Sequence, residues 1–256
     1  FIPQYGLLGG IWRGIFHAVS AFCNAGFDLL GSNGEFSSLL SYNGNPVVLG
    51  TILCLIVVGG LGFFVWEDLL RNWRRPKALS LYTKMVLVIT AILIAGGTLF
   101  FLAEEWENPE TLGAMPAWKK ILNGLFQSVT LRTAGFDSIG QGGLRDNSLV
   151  MSCILMLIGG SSGSTAGGLK TGTVGILLLT VRASLAGRNE VTVRGRSIPS
   201  KRVMDAMTLT MIVLLLFLAG AMVLSKANGI AFLPAAYEMA SAMGTVGVTT
   251  GITPNL

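Results

Sequence analysis

The sequence predicts an all-α integral membrane protein assembled from a repeated unit. Three observations predict it. The first is a set of three runs without a single charge: residues 47–66, 85–103 and 206–225. Each is long enough to cross a hydrocarbon core of about 30 Å as a helix. The second is the scarcity and placement of charge. Of 256 residues, 52% are hydrophobic and 12% charged, against about a quarter charged in a soluble domain. Eleven of the eighteen basic residues fall in two loops: Arg71, Arg74, Arg75, Lys77 and Lys84 after the first run, and Arg182, Arg188, Arg194, Arg196, Lys201 and Arg202 before the last. The loop after the second run is acidic, with Glu104, Glu105, Glu107 and Glu110. The positive-inside rule then puts both basic loops in the cytoplasm and the acidic one outside. The third observation is self-similarity. "FHAVSAFCNAGFDLLG" (16–31) returns as "FQSVTLRTAGFDSIG" (126–140) and, more loosely, as "YEMASAMGTVGVTTG" (237–251). The shared glycines Gly26, Gly135 and Gly247 are 109 and 112 residues apart. A near-constant period marks one structural unit used several times.

Each copy has the same plan. A short apolar segment precedes the glycine, at 14–22, 121–131 and 232–243. Segments of that length do not span a membrane, and they suit re-entrant helices. A polar external turn follows, then a full span, and another span precedes the short segment where the chain provides it. The unit reads as helix, re-entrant pore helix, filter-like turn, helix. On this plan residues 1–75 hold a pore helix, turn and second helix of one unit. Residues 76–198 hold a complete unit, and residues 199–256 the first helix, pore helix and turn of another. The opening "FIPQYGLLGGIWRG" has no basic leader region and no cleavage site. We expect it to lie inside a longer protein.

The turns carry the chemistry. Asn24, Ala25 and Gly26, with Thr133, Ala134 and Gly135 and with Thr245, Val246 and Gly247, can offer carbonyl oxygens in place of a cation's hydration shell. Glycine reaches positive φ without steric cost. The short helices would aim their partly negative C-terminal ends at the same point. The alternative is that the glycines only cap helices. Asp28 and Asp137 follow two of the turns at one offset. They read either as an outer mouth that concentrates cations or as solvated loop acids. Arg132 is expected to pair with an acid near the turn, or else to snorkel outward.

A second feature interrupts the complete unit. "GGSSGSTAGGLK" separates "LVMSCILMLI" from "TGTVGILLLTV". Glycine and serine are poor helix formers, so the helix should break there. Broken backbone at membrane depth must face protein or water. Gly159, Gly160, Ser161, Ser162, Gly163, Ser164, Thr165, Ala166, Gly167, Gly168 and Lys170 are therefore expected to form an intramembrane loop below the turns that acts as a gate. A flexible kink between packed helices is the alternative. Lys170 would be held by backbone carbonyls, by an acid on a neighbouring helix, or by snorkelling. The segment is not a phosphate-binding loop: Gly163 and Gly168 have the right separation, but Leu169 precedes Lys170 and no strand leads in.

Other classes fall away. No Ser/His/Asp constellation or carboxylate pair suggests an enzyme. Cys23, Cys54 and Cys153 sit in apolar company and make neither a disulfide framework nor a metal site. His17 has no ligand partner at metal spacing and reads as structural. The basic loops serve orientation rather than nucleic acid. A membrane enzyme or scaffold that uses its glycines only for helix packing remains as the competing reading. It predicts that Gly26, Gly135 and Gly247 scatter rather than share one axis.

The set "NAGFD", "RTAGFD", "GTVGVT" and "GGSSGSTAGGLK" resembles the Trk/Ktr/HKT potassium transporters over the whole chain, most closely the Ktr/Trk-type bacterial membrane subunit. "GTVGVT" looks like the potassium-channel TVGYG filter reduced to one glycine. The resemblance implies four such units arranged pseudo-fourfold around one pore, with this chain holding about half to two-thirds of the set. It implies a multi-pass protein of the bacterial cytoplasmic (inner) membrane that contacts lipid. Potassium would bind at the filter, and no covalent cofactor or nucleic acid would be bound. Coupling to sodium is left open. It further implies a homodimer with a cytosolic, nucleotide-binding regulatory ring docked on the face that carries Arg71 to Lys77 and Arg182 to Arg202.

Overall fold

The computed structural model describes residues 1–34, 36–188, 190–193 and 196–253; Asn189 and Arg194 lie outside the described residues. Nine helices follow in order among them: α1 (Ile2–Phe22), α2 (Pro46–Leu61), α3 (Phe63–Asn72), α4 (Leu81–Glu105), α5 (Ala117–Thr130), α6 (Asp146–Leu157), α7 (Thr171–Leu185), α8 (Ser200–Asn228) and α9 (Phe232–Met243). A two-residue hairpin, β1 (Thr192–Val193) with β2 (Arg196–Ser197), joins α7 to α8.

Two of the three charge-free runs form continuous helices, α4 and α8. The first run does not. Asn45 starts α2 by accepting hydrogen bonds from the Val47 and Val48 amides, with Pro46 in the first helical position. The helix then stops at Gly62, and α3 leaves at 93°. Gly62 has φ 78°, a region that glycine enters without steric cost. A β-carbon there would lie 2.7 Å from Ser161 Oγ and 2.9 Å from the Ser162 carbonyl oxygen. The bend is therefore filled by the Gly/Ser segment of the later unit.

Two of the pore helices, α1 and α5, are longer than their apolar segments 14–22 and 121–131 suggest, whereas α9 coincides with 232–243. Helix α5 has 14 residues and α9 has 12. Helix α1 runs 21 residues with a break in its backbone at Gly6 (φ 73°). Gly9, Gly10 and Arg13 interrupt the apolar pattern without interrupting the helix. The Arg13 guanidinium lies 3.7 Å over the Tyr5 ring and so shields its charge along the helix itself.

Helix α4 packs on α5, α6 and α7, while α9 lies against both α6 and α8 and α2 lies against α1 and α5. One core gathers Phe101, Leu131, Met156, Tyr237 and Val246, and a second gathers Leu49, Ile52, Ile56, Phe126 and Phe136. Both cores lie beside the glycine turns. The outer faces are apolar instead: Leu215, Leu216, Met222 and Val223 of α8 are exposed. A surface of that kind is at home in lipid. Glu105 departs from the picture of a simple acidic loop. It is buried at the end of α4 and accepts hydrogen bonds from the Arg145 amide at 3.0 Å, Asn108 at 2.6 Å and Thr111 at 2.7 Å, and from Ser148. Its carboxylate pins the loop.

Candidate functional site

Helices α1, α5 and α9 each end within three residues of a glycine turn. In all three turns two residues have positive φ: Asn24 (50°) and Gly26 (72°), Thr133 (70°) and Gly135 (88°), Thr245 (56°) and Gly247 (91°). The residue between them does not. Threonine is β-branched, so holding it there costs on the order of 1–3 kcal/mol, and the same departure recurs in two copies. The turns meet. A β-carbon on Gly26 would come 2.5 Å from the Ala134 carbonyl oxygen, and one on Gly135 would come 2.0 Å from that of Val246. Gly26, Gly135 and Gly247 line a single cavity of about 260 Å³, together with Asp28 and Asp137.

A set of braces that sequence reasoning missed holds each turn. Ser20 Oγ donates to the Phe27 carbonyl at 2.8 Å, Thr130 Oγ1 to the Phe136 carbonyl at 2.7 Å, and Ser241 Oγ to the Val248 carbonyl at 2.7 Å. Each accepting carbonyl belongs to the residue after the glycine. The main-chain carbonyls of the same three residues accept amides from Ala25, Ala134 and Val246. The signal was present in the repeat itself, where all three copies carry a hydroxyl five or six residues before the glycine.

The Gly/Ser segment breaks the helix as expected: α6 stops at Leu157 and α7 begins at Thr171. Between them the chain leaves the helical path and folds against the turns. Gly159 and Leu169 are joined by an amide-to-carbonyl bond of 2.9 Å, which closes the loop at its neck. Thr165 Oγ1 donates to the Phe22 carbonyl at 3.2 Å, at the end of α1. A β-carbon on Gly167 would lie 2.1 Å from Thr245 Oγ1, directly against the third turn. The loop also repairs the bend at Gly62. The Ser161 amide donates to the Gly60 carbonyl at 3.0 Å, the Phe63 amide donates to the Gly163 carbonyl at 3.1 Å, and the Ser161 hydroxyl donates to the Leu61 carbonyl. Backbone groups freed by both breaks thus satisfy one another.

A family profile for TrkH, described as a cation transport protein, matches residues 4–256. The chain belongs to the TrkH family. This TrkH-family chain is 45% identical to the potassium/sodium uptake protein NtpJ of Enterococcus hirae, matching 100% of this chain and 56% of that protein. It is 40% identical to the Ktr system potassium uptake protein B of Bacillus subtilis, again over 100% of this chain and 56% of the relative. The chain thus spans about half the length of the curated relatives it matches. The crystal structure of the potassium transporter TrkH from Vibrio parahaemolyticus superposes with a TM-score of 0.70 over 92% of this chain and 49% of that one, at 21% identity, which establishes the shared fold. The family, one of cation transport proteins rather than of enzymes, together with the helical fold and the apolar spans, makes the chain part of a multi-pass protein of the bacterial cytoplasmic membrane.

The charged residues of this TrkH-family chain are placed differently from expectation in one case. Arg132 neither pairs with an acid nor reaches the surface. It is buried, and its Nη2 donates to the Gly159 carbonyl at 3.3 Å. The guanidinium points along the turn towards the neck of the loop, where the break in α6 has freed a carbonyl. Lys170 is held by a backbone carbonyl, that of Ala166. Asp137 Oδ1 accepts from the Ile139 amide at 3.1 Å, the Gly140 amide at 3.0 Å and Gln141 Nε2 at 2.6 Å. Asp28 Oδ1 accepts from the Leu30 amide at 2.8 Å. Both carboxylates therefore shape their own turns while facing the cavity. His17 is buried, with Nδ1 donating to the Arg13 carbonyl at 2.6 Å and Nε2 accepting from the Leu29 amide at 3.4 Å. These bonds fix a neutral tautomer, in keeping with a structural role.

Proposed function

We propose that the protein containing this chain moves potassium ions across the cytoplasmic membrane through a filter lined by carbonyls of Asn24–Ala25–Gly26, Thr133–Ala134–Gly135 and Thr245–Val246–Gly247. The observation that carries this reading is the meeting of the three turns: their glycines share one cavity, and two of them abut a carbonyl of the next turn. Glycines that served only for helix packing would have no reason to converge. Dehydrating a cation requires a ring of fixed dipoles, and the braced, positive-φ backbone supplies carbonyls that cannot relax away. The C-terminal ends of α1, α5 and α9 add negative potential at the same place. Asp28 and Asp137 at the cavity's rim raise the local cation concentration.

In this reading residues 1–75 are part of the second pore unit, 76–198 the complete third and 199–256 part of the fourth in a pseudo-fourfold set. The loop 159–170 is the gate, since it lies against the turns and against the Gly62 bend. The exposed Arg71, Arg74, Arg182, Arg188, Lys201 and Arg202 form a cytoplasmic face on which a nucleotide-binding regulatory ring docks, and the transporter works as a homodimer. Potassium is cargo here, with sodium as the candidate coupling ion. The test is potassium uptake by the full-length protein in a bacterium that lacks its own potassium transporters. Growth at low potassium is expected, and its failure with the protein correctly inserted refutes the reading.

A further inference from the structure

One helical turn before each hydroxyl brace, the repeat carries a second buried polar residue. His17, Gln127 and Glu238 follow the aromatic residue that opens each copy (Phe16, Phe126, Tyr237), and all three are buried. All three side chains reach the segment that leaves the turn towards the cavity. His17 takes the Leu29 amide. Gln127 exchanges hydrogen bonds with Gln141, at 2.6 and 3.2 Å. Glu238 does more. Its Oε1 accepts from Thr249 Oγ1 at 2.7 Å, the Thr250 amide at 2.9 Å and Thr250 Oγ1 at 3.1 Å, and its Oε2 accepts from Thr253 Oγ1 at 2.7 Å. The carboxylate is an acceptor-only group surrounded by donors. Such bonds are roughly twice as strong as neutral ones.

We infer that Glu238 is a positioning residue for ion discrimination, a role that rests on the filter reading above. Its carboxylate gathers residues 249–253 about one point. That segment is continuous with the Thr245–Gly247 turn, whose other restraint is Ser241, bonded to the Gly247 amide at 3.1 Å and to the Val248 carbonyl. Both anchors act at the end of the turn, from Gly247 to Thr253, so the exit from the turn is fixed and its carbonyls are restrained from widening or closing on an ion of different size. The neutral residues His17 and Gln127 hold their segments by fewer or weaker contacts. In the middle copy the carboxylate that holds the exit segment, Asp137, belongs to that segment, whereas in the third copy it is Glu238, on the pore helix itself.

The experiment compares initial uptake of potassium and of sodium by the full-length protein and by Glu238→Ala, Glu238→Gln and Thr253→Val. Thr253 does not line the cavity, so its loss weakens the anchor without touching the ion path. The ratio of the two apparent affinities is expected to fall about tenfold in Glu238→Ala, through a raised KM for potassium. Glu238→Gln keeps the shape and three of the acceptor contacts, and it should fall between Glu238→Ala and wild type. Thr253→Val should move the ratio in the same direction by about two- to threefold. If Glu238→Ala does not insert, Thr253→Val alone decides. A selective wild type with an unchanged ratio in the variants overturns the inference and leaves the filter reading standing, as does a loss of Vmax for both ions with both KM values intact. A wild type that takes up no potassium overturns both.

Discussion

Arg132 Nη2 and the Gly159 carbonyl oxygen are 3.3 Å apart, so the residue that leads into one turn is tied to the first residue of the Gly/Ser loop. The bond is buried and joins groups 27 residues apart in the chain. Replacing Arg132 by Met keeps much of the volume and leaves the carbonyl unpaired, at a cost of about 1–3 kcal/mol. The loop should then be held less firmly against the turns. Lower thermal stability of the purified full-length protein and faster basal potassium uptake are expected. Unchanged values of both would show that the contact couples nothing.

Gly135→Ser should weaken discrimination between potassium and sodium. A β-carbon at this position meets the Val246 carbonyl at 2.0 Å and would sit on a backbone with φ 88°. The strain is on the order of 1–3 kcal/mol, and it falls on the carbonyl of a neighbouring turn. Apparent affinities for both ions in uptake assays read the effect, and identical affinities would remove Gly135 from the filter.

Deleting residues 161–167 should raise potassium flux severalfold and reduce its dependence on the regulatory partner. The loop lies against Thr245, Phe22 and the Gly62 bend, so its removal opens the space below the turns. Uptake by a deletion variant with wild-type membrane abundance checks this. Unaltered flux would make the segment a hinge.

Cysteine accessibility should report opposite sides for the two kinds of loop. Asn108 is a poor probe, because it is buried and bonded to Glu105. Glu107→Cys is exposed and should label from outside, whereas Arg74→Cys and Lys201→Cys should label only from the cytoplasm. The assay belongs in a background lacking Cys23 and Cys54, which are exposed thiols. The reverse pattern would invert the proposed direction of the filter.

Much of this fold was legible because it is written in composition and spacing. The glycines of the turns sit in a repeated phrase, and the break between α6 and α7 sits in a stretch too poor in helix formers to be anything else. The break at Gly62 was hidden for the opposite reason. It lies in an unbroken apolar run where any of Gly59, Gly60 and Gly62 could equally serve close helix packing, and what bends the chain is a segment about 100 residues away. The positive φ of Thr133 and Thr245 was hidden too, since local preference argues against it and only tertiary braces impose it. The partner of Arg132 could not be read from charge pairing, because the partner is a carbonyl, which carries no mark in the sequence.

Each turn is braced from within its own copy: Ser20 holds Phe27, Thr130 holds Phe136, and Ser241 holds Val248. Other bonds cross between copies, from Asn24 Nδ2 to Thr133 Oγ1 at 3.4 Å and from the Tyr237 hydroxyl to Gln141 Oε1 at 2.8 Å, but the brace itself is internal to each copy. The middle copy has already diverged, with threonine for serine and one residue fewer between brace and glycine. A pore built from identical subunits must change every quadrant whenever its gene changes. In the filter proposed above, braces that differ from copy to copy let one turn change without the identical change in the others, a route to gradual evolution that a pore of identical subunits lacks.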